Sequence, residues 1–162
     1  MADTTQADVH RLLASEAIKE AVYEFYYRWD AGAWTEAIEG FATEDIAFDA
    51  GAFGTADGRE AWHNWAETVW ADHVAHTWHM LHNPIIDVDG EEATGRWRFE
   101  IPAVTTDEEA VWLQGIYEHA YRRVDGEWRC SSYTVDSTYA TPYDRGWAAQ
   151  PVFEDPDAEP DW

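Results

Sequence analysis

Two Asp-Gly pairs, Asp89-Gly90 and Asp125-Gly126, each stand between long runs in which apolar and polar residues alternate. Asp-Gly supplies the left-handed backbone that a two-residue hairpin turn needs, so each pair predicts two antiparallel strands folded back on one another. The runs cover residues 77–88, 93–103, 110–124 and 128–139. Four consecutive long strands therefore fill the C-terminal half of the chain.

The N-terminal half is patterned differently. Ile18, Val22, Phe25, Tyr26 and Trp29 fall on one stripe of a helix over residues 9–29, and Asp30-Ala31-Gly32 reads as its end. Trp34, Ala37, Ile38 and Phe41 share a face of a second, short helix. Residues 46–48 read as a short strand, and Gly51, Gly54 and Gly58 mark a loop after it. A third helix over residues 59–72 turns Trp62, Trp65, Ala66 and Val69 inward. Residues 1–8 are polar and are expected to fray. The order predicts an α+β fold: a curved antiparallel sheet with the helices on one face enclosing a pocket. Residues 1–149 make one domain, followed by an acidic, Pro-rich tail at 150–162.

Composition narrows the partners. The chain of 162 residues is 46% hydrophobic and holds 11 Trp, which excludes a disordered polymer. It carries 33 acidic residues against 10 basic ones, a net charge of −23, and Lys19 is its one lysine. No basic stripe exists to neutralise phosphates, so neither nucleic acid nor an anionic membrane is an expected partner. Acid-rich, lysine-poor composition is of the halophilic type, in which dissolved salt screens self-repulsion. No apolar run is long enough to span a membrane, and the N-terminus lacks the pattern of a signal peptide, so a cytoplasmic location is expected. A single cysteine, Cys130, permits no internal disulfide and reads as a small core residue.

Several groups are candidates for chemistry. Asp30 ends the first helix within FYYRWD, and His79 lies early in the first long strand within HTWHMLHNP. If helix and strand cross, the carboxylate fixes the imidazole tautomer and the other ring nitrogen acts as a base. Spacing alone leaves a helix-capping Asp and a structural His as the alternative. His73, His76, His79 and His82 recur every three residues, but on a strand that spacing alternates faces, so no metal site is expected. Tyr117, His119 and Tyr121 share one strand face, which makes His119 a second acid/base group, a polar pocket-liner or a hydrogen-bonded core histidine. Tyr26 and Tyr27 offer phenols beside Asp30. Phe48, Trp62, Trp97 and Tyr117 are the expected aromatic walls of the substrate pocket. No GxSxG elbow, P-loop or GxGxxG fingerprint is present, so no cofactor is expected.

The segments AIKEAVYEFYYRWDAGAWTEAIEGFATEDIAFD, GREAW, HMLHNPIIDVDGEEATGRWRFE, GIYEHAYRRVDGEWRCSS and TPYDRGW, in that order, resemble the SnoaL-like branch of the nuclear transport factor 2-like superfamily. The resemblance covers residues 9 to 147. It implies a cone-shaped α+β barrel with a closed-end pocket, no cofactor, and a homodimer or homotrimer. The enzymes it most resembles are scytalone dehydratase, bile acid 7α-dehydratase and hexachlorocyclohexane dehydrochlorinase. These pair an Asp at the end of the first helix with a His on the first long strand, positions that fall here on Asp30 and His79. Helix tyrosines near that Asp polarise the substrate, a role that falls on Tyr26 or Tyr27. Relatives often carry Asp where this chain has His119, whereas scytalone dehydratase uses a second pocket His.

The expected function is therefore a cofactor-independent dehydratase acting on a small hydroxylated, cyclic, apolar substrate. A ketosteroid-isomerase-like activity needs the same base but no leaving group. A non-catalytic ligand-binding or accessory subunit needs neither, because fold alone does not decide function.

Overall fold

The computed structural model describes residues 2–149, with side chains from residue 5 onward. The tail at 150–162 lies outside the described residues. The elements run α1 (Ala2–Asp30), α2 (Trp34–Phe41), β1 (Ala42–Asp49), a 3₁₀ turn (Gly51–Phe53), β2 (Thr55–Asp57), α3 (Arg59–Trp65), a π-helical turn (Ala66–Trp70) and α4 (Ala71–His73). There follow β3 (Val74–Thr77), β4 (Met80–Asp89), β5 (Glu92–Thr105), β6 (Ala110–Val124), β7 (Glu127–Pro142) and α5 (Gly146–Ala149). The strands form one curled sheet in the order β2-β1-β7-β6-β5-β3, with β4 also paired to β5. The helices sit at one side of this half-barrel, as the α+β reading expected.

Asp125-Gly126 forms the tight turn between β6 and β7, whereas the turn between β4 and β5 falls one residue past the expected pair, on Gly90-Glu91, because Asp89 still pairs with Glu92. Gly90, Asp125 and Gly126 all have positive φ. Strand alternation then decides what is buried: Trp97, Phe99, Ile101 and Ala103 of β5 face the core, and Arg96 and Arg98 face outward. Arg122 and Arg129 also stay on the outside, pairing with Asp45 and Glu127. No arginine of the sheet is turned into the interior to hold an anion.

Four local features depart from the sequence reading. Helix α1 starts at Ala2, ahead of the expected start at residue 9. Strand β1 is longer than residues 46–48 and pairs with β7 in parallel, so the sheet is mixed. The first long strand is split: β3 ends at Thr77, and Trp78 and His79 bridge to β4. Within β4, Asn83 adopts φ 49° and the register slips between His82 and Ile85. Pro84 has no N–H for the ladder, and Asn tolerates the left-handed region, so Asn83-Pro84 makes a bulge. The bulge moves the inward positions from Leu81 to Ile86 and Val88.

The core lies between the concave sheet face and helices α1 to α3. Ile18, Val22, Phe25, Tyr26 and Trp29 of the expected α1 stripe are all buried. Cys130 is buried with them, and desolvation raises its thiol pKa well above the usual range, so it is an inert packing residue.

Candidate active site

Helix α1 ends where it does for a definite reason. Gly32 takes φ 77°, and its N–H donates to the Trp29 carbonyl while the Ala33 N–H donates to the Arg28 carbonyl. That pair of bonds closes the last turn, and only a residue free to adopt positive φ permits it cheaply. It leaves Asp30 in the final turn, next to the helix's own unpaired carbonyls, where a negative charge is unfavourable by about 0.3–1 kcal/mol. Three donors offset that cost. The Asp30 carboxylate accepts the His79 backbone N–H at 2.7 Å, the Thr77 hydroxyl at 2.8 Å and the His79 Nδ1–H at 2.5 Å. The gap between β3 and β4 makes this possible, because it frees the His79 N–H from the ladder. The His79 side chain is only 4% exposed.

With Nδ1 donating to a carboxylate, the neutral imidazole carries its lone pair on Nε2. No hydrogen bond among the described residues engages Nε2. His79 lines a cavity of about 50 Å³ enclosed by aromatic rings from α1, β1, α3, the π turn, β5, β6 and β7. Tyr26 stacks on the His79 ring at 4.7 Å between centroids and on Tyr117 at 5.6 Å. Phe48 stacks on Trp62 at 4.8 Å. The Tyr26 hydroxyl bonds to the Tyr133 hydroxyl at 2.7 Å, and the Tyr117 ring packs against both, 5.6 Å from Tyr26 and 5.2 Å from Tyr133 between centroids. Burial raises the pKa of all three phenols, so they are neutral donors at ordinary pH.

A volume of about 50 Å³ has room for only a few water-sized groups, so a ring-sized ligand enters only if its walls move. A second cleft of about 170 Å³ lies behind the dyad, and Trp29 and Trp70 line both spaces. Trp70 belongs to the π turn, a geometry that often marks functional positions. Thr68 within that turn donates to the Asn64 carbonyl at 2.6 Å, a back-bond that bends helices. A much larger trough, about 1340 Å³, runs between α1, from Ala7 to Tyr27, and the hairpin turns, and neither Asp30 nor His79 lines it.

The structure thus brings Asp30, His79, Tyr26, Tyr117, Phe48 and Trp62 together and leaves three expected residues out. Tyr27 is 79% exposed. Ile18, Val22, Phe25 and Trp29 put Tyr26 at one edge of the buried stripe, and Tyr27 lies about 100° beyond that edge, on the solvent side. Trp97 is buried outside the cavity, where its Nε1–H donates to the Tyr121 hydroxyl at 3.2 Å. Two positions along β5, Phe99 takes the place expected of it, stacked on Tyr117 at 4.2 Å. His119 also lies outside the cavity, between Phe41 and Tyr133. Its Nδ1 sits 2.6 Å from the Tyr121 hydroxyl, which uses it as acceptor, so the ring proton is on Nε2. Burial pushes its pKa down to about 3, so it is a neutral core histidine, not a second acid or base. Of the other histidines, His73 bonds to the Val69 carbonyl, while His76 and His82 are exposed. No three His, Cys, Asp or Glu side chains converge as metal ligands among the described residues. No helix there is long and apolar enough to cross a membrane.

Thr77 and Tyr133 were missed by the sequence reading. Thr77 sits two residues before His79, the spacing that puts two side chains on one face of an extended chain. Counting outward from Asp125-Gly126 brings Tyr133 opposite His119 once the bulge between Ala120 and Tyr121 is allowed for.

Comparison with known families decides the lineage. The family model described as a SnoaL-like domain matches residues 10–134. The chain belongs to the SnoaL-like family. Among solved structures, hexachlorocyclohexane dehydrochlorinase LinA type 2 superposes with a TM-score of 0.77 at 20% identity, covering 93% of this chain and 99% of its own. A candidate scytalone dehydratase from Novosphingobium aromaticivorans gives 0.72 at 25% identity, covering 88% and 92%. A candidate aromatic ring hydroxylase from the same organism gives 0.74 at 24% identity, covering 81% and 94%. No curated protein matches the sequence. This SnoaL-like chain therefore has the nuclear transport factor 2-like fold.

Proposed function

We propose that this SnoaL-like protein is a lyase that removes water from a small, ring-bearing, largely apolar hydroxylated molecule, using its own side chains and no cofactor. One observation carries the reading: Asp30 fixes the proton of His79 on Nδ1, and Nε2 is left for the aromatic cavity. Nε2 takes a proton from a substrate carbon, and the electron pair of that C–H bond becomes the new carbon–carbon π bond. The C–O bond to the neighbouring hydroxyl breaks, and the imidazolium returns its proton to the departing oxygen, which leaves as water. The Asp30 carboxylate stabilises the imidazolium between these steps. Where the substrate carries a carbonyl beside the acidic carbon, the phenols of Tyr26, Tyr117 and Tyr133 donate to its oxygen as charge develops. Positioned proton transfer contributes roughly 10²–10⁴-fold, and the rest of the rate comes from orientation and the dry aromatic walls.

The phenol cluster also favours a second reading. The same base and donors move a proton within a cyclic enone without expelling a group, and product mass separates the two: one water lost, or none. The accessory-subunit reading does not require a carboxylate locked on a buried imidazole.

The test is a panel of hydroxylated cyclic ketones followed by mass spectrometry. The expected result is loss of one water by the wild type and none with His79→Ala, whose thermal unfolding stays cooperative. Undiminished turnover in His79→Ala sinks the mechanism.

A further inference from the structure

A hollow of about 150 Å³ takes one benzene ring. The cavity at His79 has only about 50 Å³. The cleft on the Asp30 side is ring-sized, at about 170 Å³, and it opens to solvent, because Ala31, Gly32, Ala75 and His76 in its lining are all exposed. Two side chains line both spaces, Trp29 and Trp70, and their indoles are the partition between cavity and cleft.

The two indoles are held differently. Trp29 is 5% exposed and wedged among Phe25, Trp34 and Trp62 as well as Trp70. Trp70 is half-buried, and it meets Trp29, Trp65 and His79 at 5.8, 6.0 and 6.4 Å between centroids. Its indole N–H makes no hydrogen bond among the described residues, so the ring can turn without breaking one. Its backbone is the last residue of the π turn, which closes where the Ala71 N–H donates to the Ala66 carbonyl five residues back. Such a turn carries one residue more than the α ladder, and passing that surplus along by one residue rotates a side chain through about 100°. Phe53, the other half-buried hydrocarbon-faced ring of the cavity, is tied down. Its carbonyl accepts the Trp65 Nε1–H at 2.7 Å, and its N–H donates to the Ala50 carbonyl at 3.2 Å.

We propose that Trp70 is the movable wall of this site: an apolar ring reaches His79 from the Asp30 cleft by displacing the Trp70 indole, whose bulk selects for smaller rings. With the indole aside, cavity and cleft are one space with the Asp30–His79 pair on its wall. The inference rests on the cavity being the ligand site, not on the reaction carried out there.

The test uses benzene and naphthalene, unreactive rings of two sizes, and follows the His79 ring ¹H–¹³C resonance to report arrival. Trp70→Ala should raise the association rate by about tenfold or more for benzene and further for naphthalene, while Phe53→Ala should stay within about twofold of wild type. Benzene left unbound by wild type, an unchanged rate in Trp70→Ala, or an equal or greater gain in Phe53→Ala overturns the movable wall. An equal gain for both probes overturns the size selection. A second readout needs no truncated variant. The Trp70 ¹⁹F resonance of fluorotryptophan-labelled wild type, assigned by its absence in Trp70→Phe, should shift when benzene is added. A Trp70 resonance that stays fixed while the His79 signal moves overturns the proposal even where Trp70→Ala folds poorly. Benzene entry past Trp70 together with an inactive dehydration panel removes the lyase reading and leaves the wall standing. Water loss with benzene entering at Phe53 does the reverse.

Discussion

Replacing Asp30 by Asn keeps the shape of the site and removes one of its acceptors. The carboxylate meets three donors: Thr77 hydroxyl and His79 Nδ1–H on one oxygen, His79 backbone N–H on the other. An amide has one oxygen, so either orientation sets its NH₂ against at least one donor. With the NH₂ toward the backbone N–H, one buried donor is lost, at a cost of about 1–3 kcal/mol. With the NH₂ toward Nδ1, the imidazole must move its proton to Nε2, and the base is gone. Removing a negative charge from the end of α1 returns about 0.3–1 kcal/mol. The net loss is on the order of 1–2 kcal/mol, which for a domain of this size lowers the melting temperature by about 2–8 °C. Turnover should fall by roughly 10²–10⁴-fold, because the imidazolium loses its counter-charge whichever way the amide settles. Thermal unfolding reads the first quantity, and long-range ¹H–¹⁵N correlation of the His79 ring reads the tautomer. An Asp30→Asn variant with the wild-type midpoint and an unaltered His79 ring pattern would refute the reasoning.

Tyr26→Phe should lower turnover by about tenfold or more by opening the phenol cluster, whereas Tyr27→Phe, changed at an exposed ring, should match wild type. Gly115→Ala would set a Cβ 2.2 Å from the Asp136 carbonyl and 2.8 Å from the Phe99 ring. Urea unfolding should show a loss of about 1–3 kcal/mol or more, with the cavity wall displaced alongside. His119 has a pKa of about 3 when folded, below its ordinary 6.5, so the unfolded chain binds the extra proton between those values. Stability is full above pH 6.5 and falls by up to about 1.4 kcal/mol per pH unit below it. His119→Gln should flatten that dependence between pH 7.5 and pH 5.5 in urea titrations.

Much of this was legible in the chain. The two hairpins were legible from their Asp-Gly pairs, although the first turns one residue later, on Gly90-Glu91, and the inward faces follow from strict alternation. Asp30 was legible because Gly32 announces the end of a helix. What alternation could not supply was every place where the backbone breaks it. The gap at Trp78-His79 and the bulge at Asn83-Pro84 each shift the phase of a strand, and the phase decides which side chains reach the interior. Trp97 and Phe99 are both inward by alternation, and only the sheet's curvature separates the one at the cavity from the one beyond it. The meeting of Tyr26 with Tyr133 spans 107 residues and depends on a one-residue bulge, so no local pattern encodes it.

The parallel pairing of β1 with β7 has a kinetic consequence. The other strand pairs join neighbours in the chain or elements a few tens of residues apart, and such local contacts form early. Joining Phe48 to Tyr133 closes a loop of more than eighty residues, an entropic cost met only once the β5–β6–β7 meander exists as a template. During synthesis the ribosome releases Asp30 and His79 long before Tyr133. The dyad can therefore assemble on a nascent chain whose cavity still lacks a wall, with Phe48 and Trp62 uncovered. That interval, and not the finished fold, is when this tryptophan-rich, strongly acidic chain is most exposed to self-association, and its charge then acts as protection.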